Sequence, residues 1–192
     1  MTLPKRIILG ISGASGAVYG IRALEMLRPL EIETHLIISP AAAITIAEET
    51  DCSLEQVKAL ADKVHNPKDI AACISSGSYQ TLGMLIAPCS MRTLAEIATG
   101  VSSSLMSRAA DVVLKERRRL VLMARETPLT SIHIDNMQRV TQAGGIIYPP
   151  VPAYYHHPES LDDIINQTVS RALELFDIDT GKVSRWKDSA GQ

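Results

Sequence analysis

Short runs that are apolar on both faces recur along the chain at 6–11, 34–39, 84–87, 120–124 and 146–148, and stretches with helical spacing lie between them. A strand with one wet face alternates apolar and polar residues, so runs without alternation predict strands buried on both sides, as in a parallel sheet. The helical stretches carry their own boundary signals. Residues 16–27 follow the first strand through a set of glycines, and Ser39 stands as an N-cap with Pro40 at the first position of a helix over 40–49. Ser53 and Gln56 read as a capping box for a helix ending near Lys63. Segments 91–99, 103–116, 131–143 and 161–175 complete the set, the last capped by Ser160 and striped by Leu161, Ile164, Ile165, Thr168, Val169, Ala172 and Phe176. Strand and helix alternate throughout. The pattern predicts an α/β fold: a Rossmann-like or flavodoxin-like doubly wound parallel sheet with helices on both faces.

At 192 residues and 46% hydrophobic content the chain can bury a full core, and one domain over 1–192 is expected, with the tail from about 177 loosely attached or packed on a neighbouring subunit. A net charge of −2 and a pI near 6.2 give no electrostatic case for nucleic acid or a polybasic membrane contact, so any anion site is local. No apolar run approaches the roughly 18 residues that span a bilayer, and Met1 to Lys5 does not read as a leader; a cytoplasmic location is expected. Cys52, Cys73 and Cys89 form an odd set without CxxC spacing, which speaks against a disulfide framework or structural zinc; no metal is expected.

Gly10, Gly13, Gly16 and Gly20 fit neither the dinucleotide fingerprint nor the P-loop. They permit two readings: close packing of helix on strand, or a turn whose Ser12 and Ser15 hydroxyls join helix N-terminal amides around an anion. The second strand ends in Ser39 where a dinucleotide site would place an acid for the ribose, which favours a mononucleotide over NAD. Ser90 and Thr93 at the next strand end are either a plain helix cap or part of the same ligand site, and Cys89 beside them reads as a small buried thiol.

Arg108 and Lys115 lie seven apart on one predicted helix, and Arg125 and Glu126 sit just past a strand's carboxyl end, where a crevice is expected. A carboxyl group among cations suits general acid or base work at a phosphate ester. Arg117 to Arg119 read as a solvated basic turn. The proline-punctuated "PPVPAYYHHP" presents Tyr154, Tyr155, His156 and His157, and Arg171 borders the last helix's apolar stripe, as a surface residue or a second phosphate contact.

Together "GISGASGA", "EETD", "SSGSYQTLGMLIAPCS", "RAADVVLKERR", "RETPL", "PPVPAYYHHPES" and "SRW" resemble the UbiX-like flavin prenyltransferases, over essentially the whole chain from Arg6 to Trp186. The resemblance implies a metal-independent transfer of a dimethylallyl group from dimethylallyl monophosphate to reduced FMN, giving prenylated FMN for a UbiD-type decarboxylase. It also implies a homo-oligomer, expected as a dodecamer, with FMN at subunit junctions. FMN contacts fall on Gly13, Ala14, Ser15, Ser39, Ser90, Met91, Arg92, Thr93 and Arg125, with Trp186 near the flavin. Contacts to the prenyl phosphate fall on Tyr155, Arg171, Lys115 and Arg108. Ser15, Glu49, Glu126 and Lys115 are the implied catalytic groups. Many relatives carry Lys where this chain has Pro40, a departure expected to have little effect because proline suits a first helical turn.

Overall fold

The computed structural model describes residues 5–186; of the leader reading of Met1 to Lys5, all but Lys5 lies outside them. Six strands, β1 (Arg6–Ile11), β2 (Glu33–Ile38), β3 (Lys63–His65), β4 (Gly83–Cys89), β5 (Arg119–Ala124) and β6 (Ile146–Ile147), form one sheet in the order β3-β2-β1-β4-β5-β6. Every pairing is parallel. Helices α1 (Ala17–Leu27), α2 (Pro40–Glu49), α3 (Leu54–Lys58), α4 (Met91–Thr99), α5 (Leu105–Lys115), α6 (Ser131–Gln142) and α7 (Leu161–Glu174) connect and cover it.

Strand periodicity divides the core in two. Ile7, Leu9 and Ile11 of β1 point into one cluster with Leu24 and Leu27 of α1 and Val169 and Leu173 of α7. Ile8 points the other way, joining Met84, Ile86, Leu94, Ala109 and Val113 under α4 and α5. Both faces are thus dry, which is why the strands read as continuous apolar runs.

Three expectations need correction. The helix predicted to reach Lys63 ends at Lys58, and Lys63–His65 is instead an edge strand on β2, too short and polar to register as an apolar run. Leu161 begins the α7 stripe but is 79% exposed, because the stripe meets the core only further along the helix. Arg117 to Arg119 are more than a solvated turn. Arg118 donates to the carbonyls of Tyr79 and Gly77 at 2.8 and 2.7 Å, and Arg119 donates to the Leu175 carbonyl, so two of the three clamp neighbouring loops.

The chain builds outward from β1 to β3, then crosses back to β4 and builds outward to β6. Connections leave β1 and β4 in opposite directions, which opens a crevice at their carboxyl ends. The glycine turn after β1 and Ser90 after β4 flank it.

Candidate functional site

The two strand ends are tied across the crevice by Ser12, which the sequence offers as an anion ligand and the structure uses as a bridge. Its buried hydroxyl donates to the Pro88 carbonyl at 2.8 Å and accepts the Ser90 N–H at 2.7 Å. Ser90 in turn caps α4, accepting the Thr93 N–H at 3.3 Å and donating to the Thr93 hydroxyl at 3.1 Å. Ser39 caps α2 in the same way, accepting the Ala42 N–H at 3.0 Å. Both serines are therefore caps, as one reading expects, and both also face a cavity of about 490 Å³. Gly13, Arg92 and Thr93 line it too, so five of the expected cofactor contacts share one space. Gly13 must be glycine here: a Cβ would stand 2.3 Å from that of Ala41 at the start of α2.

The same wall carries Lys68, Ser103 and Ser104, which sequence reasoning missed. Ser104 had a signal, since it caps α5 with Ser107 answering in a capping box. Lys68 had none, because only the fold of the 66–82 loop carries it there. Of the remaining expected contacts, Ala14 is buried at the turn and Met91 packs partly against the core below α4.

The anion expected at the N-terminus of α1 is the chain's own. Gly16 takes a left-handed conformation (φ 104°) that turns the backbone into the helix, and the Glu49 carboxylate accepts the Gly16 N–H at 2.7 Å and the Ala17 N–H at 3.2 Å. Those amides are not free for a ligand phosphate, which corrects the anion reading of the turn. Burial, the largest single influence on Glu49, raises its carboxyl. The Gly16 N–H, the Ser15 hydroxyl, the Ala17 N–H and the Arg125 charge together outweigh it and hold the group below its ordinary value. Ser15, Glu49 and Arg125 line a second recess of about 540 Å³ with Tyr19, Pro150, Leu161 and Ile164. Glu126, the next residue, is exposed and accepts the Thr127 N–H at 3.0 Å. Cys89 is fully buried, and burial pushes its thiol far above the ordinary range, away from a nucleophile's needs.

The expected phosphate cage does not assemble within one chain. Lys115 ends α5, just before β5 begins, so it lies at the amino end of the sheet, opposite Ser39, Ser90 and Arg125; it pairs with Glu116 at 2.5 Å beside Gly77. Arg108 pairs with Asp111 at 2.8 Å on the same helix. Tyr155 donates its hydroxyl to the Ser184 carbonyl at 3.1 Å and accepts from Gln167 at 3.0 Å, and its ring stands edge-on to Trp186 at 5.7 Å. Arg171 lies six residues past Ile165, about 9 Å further down α7, and pairs with Glu174, which also pairs with Arg185.

The flavoprotein family model matches residues 1–188. The flavin prenyltransferase UbiX of Neisseria meningitidis serogroup B is 56% identical over 186 residues, covering 97% of this chain and 98% of that protein. A crystal structure of AnUbiX (PadA1) in complex with FMN and dimethylallyl pyrophosphate superposes with a TM-score of 0.94 at 54% identity, covering 96% of this chain and 98% of that one. A dodecameric FMN-dependent UbiX-like decarboxylase from Escherichia coli O157:H7 gives 0.92 at 49% identity, covering 94% and 98%.

Proposed function

The chain belongs to the flavoprotein family and within it to the UbiX-like flavin prenyltransferases, and from that premise we propose how its own residues join a dimethylallyl group to reduced FMN with release of phosphate. The carrying observation is the cavity at the switch point. Its size falls within the usual range for a small-molecule site, and hydroxyls of Ser39, Ser90, Thr93, Ser103 and Ser104 with the cations Lys68 and Arg92 suit a phosphorylated polyol chain. No acid closes β2, as a dinucleotide ribose would require. Gly13, Ala14, Ser15, Ser39, Ser90, Met91, Arg92, Thr93 and Arg125 are the proposed FMN contacts.

Bound reduced FMN supplies the nucleophile, and the prenyl phosphate supplies the electrophilic carbon. Lys115, Arg108, Arg171 and Tyr155 neutralise the charge that develops on the departing phosphate, which is work a metal would otherwise do. Glu126 carries the proton exchanged with a phosphate oxygen. Glu49, held ionised at neutral pH, is in its accepting form and with Ser15 takes the proton displaced on ring closure. Trp186 presents a π face to the allylic cation, an attraction worth about 2 kcal/mol when dry.

Lys115 and Glu126 lie at opposite ends of β5, so the site is completed by copies of the chain. A homo-oligomer, a dodecamer as for the Escherichia coli relative, supplies Lys115 from one subunit to Glu126 of another. We assign the donor as dimethylallyl monophosphate, the consumer of the product as a UbiD-type decarboxylase, and the place of action as the cytoplasm. Among the described residues no helix is long and apolar enough to cross a membrane. The chain acts as one domain over 1–192. Beyond Asp177 it turns back, burying Ile178 and bonding Ser184 N–H to Gln167 at 2.9 Å. Extraction of the purified protein tests the cofactor: FMN is expected, and stoichiometric FAD or NAD overturns the assignment.

A further inference from the structure

Away from the crevice, on the face of the sheet covered by the 66–82 loop, three potential metal ligands converge from three separate segments. His35 of β2, His65 of β3 and Cys73 each offer one ligand atom, all within 4.8 Å of one another. Parallel pairing of β2 with the edge strand β3 brings the imidazoles together: His35 Nδ1 and His65 Nε2 are 2.8 Å apart, with the rings stacked at 5.1 Å. His35 is fully buried, and its other nitrogen lies 3.2 Å from Glu33 Oε1 and 3.1 Å from the Tyr79 hydroxyl. A carboxylate behind a histidine is the usual outer support of a metal-ligating imidazole, because it fixes the tautomer and turns the opposite nitrogen's lone pair toward the ion.

We propose that His35 Nδ1, His65 Nε2 and Cys73 Sγ form a binding site for a zinc-like transition-metal ion, distinct from the prenyl-transfer site, whose chemistry needs no metal. Two imidazoles and a thiolate select zinc over the hard cations magnesium and calcium, which require oxygen donors. With metal–nitrogen bonds of about 2.0–2.1 Å and a metal–sulfur bond of about 2.3 Å, the three atoms must settle roughly 3–4 Å apart. The imidazoles already meet that spacing to within a few tenths of an ångström, and Cys73, exposed at the start of a single 3-10 turn, is the ligand free to adjust. The proton balance is simple. His35 keeps its proton on the nitrogen facing Glu33, His65 moves its proton to Nδ1, and the Cys73 thiol gives up one proton as the ion enters. Three protein ligands leave the fourth position to water.

The test titrates Co²⁺, and then Zn²⁺ in competition, into the FMN-loaded protein. One ion per chain is expected, with a thiolate-to-cobalt charge-transfer band that zinc abolishes. Cys73→Ser should remove that band, and His65→Gln should weaken binding by more than the roughly 10–100-fold typical of losing an outer partner. Both positions are outside the crevice, so both variants should retain FMN and prenyl transfer. No ion bound by equilibrium dialysis against micromolar zinc overturns the proposal. Stoichiometric binding unchanged in both variants does so as well, since the ion then sits elsewhere.

Discussion

Mixing two inactive variants should restore activity, because no single chain can bring Lys115 to Glu126. Lys115 precedes β5 and Glu126 follows it, and the six residues of that strand span about 20 Å at about 3.3 Å each, far beyond a lysine's reach. Lys115→Ala removes a proposed phosphate contact, with an expected loss of about 10²–10³-fold. Glu126→Gln removes the proposed proton carrier, with an expected loss of about 10²–10⁴-fold. In a symmetric oligomer assembled at random from equal amounts of both, a site drawing the lysine from one subunit and the glutamate from another is intact in about a quarter of cases. Activity should therefore rise from about 1% or less to about 25% of wild type. The assay is single-turnover prenylated-flavin formation by co-expressed, doubly tagged oligomers, against each variant alone and against the two mixed without subunit exchange. Activity no greater than the sum of the separate variants refutes the shared site.

Two further perturbations probe the crevice itself. Ser12→Ala removes the hydrogen-bond partner of the half-buried Ser90 N–H, so stability should fall by about 1 kcal/mol and FMN affinity with it. Thermal unfolding at fixed protein concentration and flavin fluorescence titration check both, and wild-type values in each contradict the bridging role. Glu49 titrates below its ordinary value in the folded chain, so its stabilising contribution is complete above pH 4.5 and is lost as pH falls through the folded value. Wild type should exceed Glu49→Gln in stability at neutral pH, with the gap closing under acid, as followed by denaturant unfolding at a series of pH values; a gap independent of pH counts against it.

The sheet was legible wherever strands are dry on both faces, as in β1, β2, β4 and β5, because their apolar runs are short and bounded by turn residues. β3 was not, since a three-residue edge strand reading Lys-Val-His is stabilised by its partner rather than by its own pattern. Capping serines are visible in sequence, yet Ser39, Ser90 and Ser104 serve as caps and cavity wall at once, and sequence cannot divide those roles. The glycine turn was readable as close packing or as an anion site; the carboxylate that occupies it, Glu49, comes from the far end of α2, a contact that depends on how α1 and α2 pack. Ser12 was visible as a hydroxyl at the turn, but its bridging role was not, because its partners lie 76 and 78 residues away. Lys115 stood out by its spacing from Arg108, and Arg171 by its place at the edge of the α7 stripe, but no pattern in the chain could reveal that Lys115 lies at the opposite end of β5 from Glu126.

Prenyl transfer itself is measured by incubating the protein anaerobically with reduced FMN and dimethylallyl monophosphate, then extracting the flavin for mass spectrometry. A flavin heavier than FMN by one five-carbon prenyl unit is expected, formed without added metal and matched by an equal amount of released phosphate. Recovery of FMN at its original mass, with the phosphate ester intact, contradicts it.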